Sequence, residues 1–122
     1  MSDVNTQNTF KLYSKLLNLS KYSRSYLLNN IPKVHNDLKI HLADELYLLT
    51  KNVFSATNNK GNIRIKCLTE AQTNISMIDY LLTCLKDIKC LNNRNINNTI
   101  SILADIKNII YGWKFNEEKN KY

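Results

Sequence analysis

Ala71-Gln72-Thr73-Asn74-Ile75-Ser76-Met77-Ile78-Asp79-Tyr80-Leu81-Leu82-Thr83-Cys84-Leu85 is the stretch on which the fold turns. Ala71, Ile75, Ile78, Leu82 and Leu85 step by four and three, the spacing that keeps side chains on one face of an α-helix. Leu81 and Ile88 broaden that face. A strand would alternate apolar and polar residues at every second position, and this segment does not. The same period extends both ways and predicts a helix from about Ile63 to Leu91.

Working outward, Asn92-Asn93-Arg94-Asn95 closes this helix, and Ile96 to Trp113 restarts the rhythm through Ile100, Leu103, Ile106, Ile110 and Trp113. Upstream lies Asn58-Asn59-Lys60-Gly61-Asn62, the clearest loop, because Asn and Gly tolerate the positive φ that turns and helix ends require. Before it, Leu38, Leu42, Leu46, Leu49, Val53 and Ala56 predict a helix from about Lys33 to Ala56. Pro32 cannot continue a helix but suits the first turn of one. It is therefore expected to open that helix, after a break at Asn29-Asn30-Ile31. A first helix is expected from about Asn8 to Leu28. Phe10, Tyr13, Leu17 and Leu27 form its stripe, widened by Leu12, Leu16 and Leu19.

Composition agrees. The chain has 122 residues, 43% hydrophobic and 22% charged, with only two Gly and one Pro. That is one domain's worth of chain, with too few turn residues for many strands. Four helices of similar length with short connections predict an all-α, antiparallel up-down-up-down four-helix bundle. Its ordered core would span about 8–115, with a polar, frayed tail over 116–122. The broad stripes of the third and fourth helices could serve either the bundle core or a neighbouring subunit.

Catalytic and metal constellations are missing from the sequence. His35 and His41 project about 120° apart on a helix and cannot share a metal as an i, i+4 pair does. Cys84 and Cys90 have the same spacing, and the third cysteine is Cys67. Asp44 and Glu45 face different ways, and Asp79 and Asp87 are two turns apart. Gly61 and Gly112 stand alone, so there is no phosphate loop. The expectation is a non-enzyme without cofactor or metal. Three cysteines, an odd count, and no leader-like start imply reduced thiols in a cytoplasm. No segment reaches the roughly 18 apolar residues of a membrane span.

The charge is the positive evidence. Lys and Arg outnumber Asp and Glu by 17 to 10, for a net +7, a field that favours polyanionic partners. Lys60, Arg64 and Lys66 cluster around the second loop. Lys86, Lys89 and Arg94 lie at the far end of the third helix, and Lys107 sits on the fourth. These seven are the candidate phosphate contacts. Lys11, Lys15 and Lys21 decorate the first helix, and Lys114 shares a face with Lys107. Packing is the default role of the aromatics, with base stacking on Tyr80 or Tyr111 as the alternative that the spacing alone does not support. Trp113 is expected to cover one end of the core.

Three signals in order carry a family resemblance. They are Ile31-Pro32-Lys33, then Leu81-Leu82-x-x-Leu85-Lys86-Asp87-Ile88, then the close Asp105-Ile106-x-x-Ile109-Ile110-x-Gly112-Trp113-Lys114. Together, over roughly Phe10 to Phe115, the chain resembles the accessory variability determinant (Avd) proteins of diversity-generating retroelements. Those proteins are related to the four-helix proteins of ribosomal-RNA intervening sequences. The resemblance implies a four-helix protomer, a homopentameric barrel, and two partners: the element's reverse transcriptase and RNA, with DNA as a possible second nucleic acid. It implies support of mutagenic cDNA synthesis without catalysis. The chain departs from the family pattern at Thr83 and Asn108, where Arg is usual, and at Lys107 and Tyr111, where Gly is usual. Two other readings fit the same sequence: a scaffold or regulator acting through protein–protein contacts, and an intervening-sequence protein with no reverse transcriptase.

Overall fold

The computed structural model describes residues 3–120, and side-chain surroundings from Thr9 onward. Four α-helices follow one another with no strand among the described residues: α1 Asp3–Tyr26, α2 Asn36–Thr57, α3 Gly61–Ile88 and α4 Asn93–Asn120. Long-range contacts give their directions. The Tyr13 hydroxyl early in α1 donates to Thr57 Oγ1 at the end of α2 (3.0 Å), and the Gly61 N–H at the start of α3 reaches Glu117 near the end of α4 (2.8 Å). Tyr22, late in α1, meets Asn95 and Asn98, early in α4. Successive helices are therefore antiparallel. Around the bundle α2 packs on α3, α3 on α4 and α4 on α1, while the α1–α2 seam is the loosest.

The three connections explain where the helices stop. After α1 a short 3₁₀ turn, Leu28–Asn30, leads into extended Ile31 and Pro32 (ψ 150°). A proline drives the residue before it into extended backbone. Pro32 therefore caps a second 3₁₀ turn, Lys33–His35, and α2 begins only at Asn36, three residues after the sequence placed it. Leu28 and Ile31 are buried here and plug the end of the core. Between α2 and α3, Lys60 is extended and Gly61 takes φ +63°, starting α3 two residues earlier than expected. After α3, Lys89 occupies the left-handed region (φ 64°) and returns its N–H to Lys86 O (3.1 Å), so α3 ends at Ile88 and not at Leu91. Asn92 then caps α4, its Oδ1 accepting the Arg94 N–H at 2.8 Å.

The core is a four-sided stack of leucine and isoleucine. It draws Leu12, Leu16, Leu19 and Leu27 from α1, the expected Leu42 to Ala56 stripe from α2, Leu68 to Leu85 from α3, and Ile96, Leu103, Ile106, Ile110 and Trp113 from α4. Three expectations fail. Phe10 and Leu17 are exposed, at 76% and 57%. They share the period of Leu12, Leu16 and Leu19 but lie roughly 100° or more around α1, and the bundle buries the leucine side. Ile88 and Ile100 sit at the rim and not in the core. The segment over 116–120 is not a frayed tail: α4 continues through it to Asn120, and Glu117 is half-buried against the start of α3. The last two residues of that predicted tail, 121–122, lie outside the described residues.

Candidate nucleic-acid interface

The seven predicted phosphate contacts do not form one patch. Lys60 and Lys66 lie at the end where α3 begins. Lys86, Lys89 and Arg94 lie at the opposite end, roughly 40 Å away along a helix as long as α3. Lys107 is exposed in the middle of α4. Lys66 and Lys86 also point to opposite sides of α3, about 200° apart at 100° per residue.

Arg64 is not available to a ligand. Its Nε donates to Ala56 O (2.8 Å) and one terminal nitrogen to Thr57 O (3.4 Å), carbonyls of the last turn of α2. The other terminal nitrogen donates to Glu117 Oε1 (3.1 Å), and the guanidinium lies 5.2 Å from the Trp113 ring centroid. The Arg64 and Glu117 side chains are only 13% and 17% exposed. The geometry is that of a clasp joining α2, α3 and α4: a charge-assisted pair, two carbonyl caps and a cation–π contact on one planar group. The clasp ties the last turns of α4 to the start of α3 and lays the guanidinium against Trp113.

The other six are exposed, and among the described residues none pairs with a carboxylate. The only ion pairs there are Arg64–Glu117 and Lys15–Asp105 (3.3 Å). Chain direction brings further cations to the Lys86 end. The last turns of α1 carry Arg24, and the α1–α2 turn carries Lys33, both exposed. Arg24, Lys33, Lys86, Lys89 and Arg94 thus share one end of the bundle with only Asp37 and Asp87 for acids. Lys86 also opposes the negative end of the α3 dipole. Arg24 and Lys33 were not singled out by sequence, because neither belongs to a local run. Only antiparallel topology brings them beside Lys86.

Two surface grooves complete the site. One follows the loose α1–α2 seam, with Tyr13, Leu16, Leu17 and Phe54 around about 140 Å³; Tyr13 and Phe54 meet edge to face at 4.9 Å. The other, about 340 Å³, lies between α3 and α4 and is lined by Gln72, Ile75, Ser76, Lys107, Asn108 and Tyr111. The expectation that aromatics mainly pack is overturned: Phe10, Tyr26, Tyr47, Phe54, Tyr80, Tyr111 and Phe115 are exposed, and of these Phe54 and Tyr111 line the two grooves. Close to the second groove, burial pushes the Asp79 carboxyl above its ordinary 3.8, against the pull of the Lys107 charge.

The half-buried cysteines Cys67, Cys84 and Cys90 are free thiols. Among the described residues no three His, Cys, Asp or Glu side chains converge as a metal site, and no helix is long and apolar enough to cross a membrane. Comparison of the chain with protein-family models, curated proteins and solved structures finds no match.

Proposed function

We propose that this chain is a non-catalytic, nucleic-acid-binding accessory subunit of a diversity-generating retroelement reverse transcriptase, acting in the cytoplasm as a homopentamer. The observation that carries the nucleic-acid part is the basic end: five exposed cations from three helices and a turn, without ion-pair partners among the described residues. Cations so placed neutralise phosphates and release counterions, which gives affinity without sequence readout. Five protomers would concentrate roughly +35 in one particle. The exposed apolar residues of the α1–α2 seam support subunit or partner contacts, since contiguous apolar surface on a small protein marks an interaction face. The link to a reverse transcriptase rests on the family resemblance alone.

The test is charge reversal at the basic end. The double variant Lys86→Glu, Lys89→Glu should bind single-stranded RNA much more weakly than the parent. Its melting temperature should fall only slightly, because both side chains are solvated and the loss is confined to their interaction with the α3 dipole. RNA binding equal to the parent's would remove this end from the interface. Salt-insensitive protein contacts with no RNA binding would favour the scaffold reading instead.

A further inference from the structure

The α3–α4 groove holds a set of groups that the basic end does not. Tyr111 presents a ring that is 65% exposed at one edge. Gln72, Ser76 and Asn108 supply amide and hydroxyl groups, Ile75 forms an apolar floor, and Lys107 brings a cation within one helical turn of Tyr111. The Gln72 carbonyl accepts from Lys114 Nζ at 3.1 Å, which fixes the amide and leaves its NH₂ free to donate. Among the described residues the side chains of Ser76, Asn108 and Tyr111 have no protein hydrogen-bond partner. At about 340 Å³ the groove falls at the small end of ligand-site volumes.

These groups match one ligand chemistry. An aromatic face stacks a planar base, side-chain amides meet donor and acceptor atoms on its edge, and a lysine at one turn's distance takes the adjoining phosphate. A duplex hides its bases, so only an unpaired nucleotide can enter. We infer that the α3–α4 groove binds one unstacked nucleobase of a single-stranded nucleic acid, with Tyr111 as the stacking platform and Lys107 on the neighbouring phosphate. This rests on the nucleic-acid reading above and adds a site to it. Along α3, Lys86 and Ser76 lie roughly 15 Å apart and about 80° around the helix, so a strand held at the basic end reaches the groove by following the helix partly around its axis. Asp79 and Asp87 are the carboxylates on that path, and Asp79 opposes the phosphate directly through its proximity to Lys107.

The experiment compares two labelled single strands by fluorescence anisotropy, one of mixed-sequence RNA and one of the same length lacking bases. Tyr111→Ala should weaken binding of the base-containing strand about tenfold and leave the abasic strand unchanged, while Tyr111→Phe should bind both like the parent. Because Tyr111 is largely exposed, the variants should melt with the parent. Equal binding of the base-containing strand by parent and Tyr111→Ala would overturn the groove assignment, as would an equal loss on both strands. A parent that binds neither strand would overturn the nucleic-acid reading itself, and the groove site with it.

Discussion

Arg64 shows how far a residue's type can mislead about its role. In the sequence it stands between Lys60 and Lys66 and looks like one more phosphate contact. In the fold it is claimed by Ala56 O, Thr57 O, Glu117 and Trp113. Nothing local foretells this, because its partners come from the end of α2 and from 53 residues downstream. Arg64→Ala should therefore cost stability, about 2 kcal/mol, or a fall in Tm of roughly 8 °C by calorimetry. Lys60→Ala, four residues before Arg64 and exposed, should melt with the parent. Asp79 makes a second residue-scale prediction. A carboxyl whose pKa is raised by folding binds its proton more tightly in the folded state. It therefore stabilises only below its unfolded value, and that contribution is lost as pH rises through the folded value. Asp79→Asn should raise stability to urea at neutral pH, and the gain should vanish as pH falls below 3.8. A gain independent of pH would contradict the desolvated carboxylate.

At the scale of elements, periodicity carried most of the fold. The α2 and α3 stripes were legible from Leu42 to Ala56 and from Ala71 to Leu85, where the 3–4 spacing is unbroken, and they failed only at the ends, where Leu38 is half-buried and Ile88 sits at the rim. In α1 two overlapping stripes shared a period, and tertiary packing chose Leu12, Leu16 and Leu19 over Phe10 and Leu17. Helix ends were the weakest part. The Pro32 turn follows from extended backbone that a proline imposes, and the extra α4 turns follow from the Glu117 clasp. Neither has a signature in composition. The end of α3 is where backbone geometry makes its own prediction. Lys89 is the only residue other than glycine with positive φ among the described residues, and a side chain there costs about 1 kcal/mol. Lys89→Gly should raise Tm while removing one cation from the basic end. A lower Tm would show that the lysine side chain, and not the backbone, secures this cap.

For the whole molecule, the bundle sorts what the sequence spreads out. The seven cations chosen by local clustering divide between two ends and a middle. The chain's antiparallel course then adds Arg24 and Lys33 to the end that holds Lys86, Lys89 and Arg94. Fold class and helix order were legible because they depend on local pattern. The composition of the basic end was not, because it depends on which termini meet. The proposed assembly makes one prediction here: light scattering on a sizing column should give a pentamer mass at both low and high salt, and a monomer at both would remove the barrel. The most direct test of the central claim is the affinity of the purified protein for single-stranded RNA across a range of salt. If the five cations of the basic end contact phosphates, log affinity should fall linearly with log salt at a slope of about −3 to −4, roughly −0.7 for each contact. No binding at low salt, or binding that ignores salt, would contradict it.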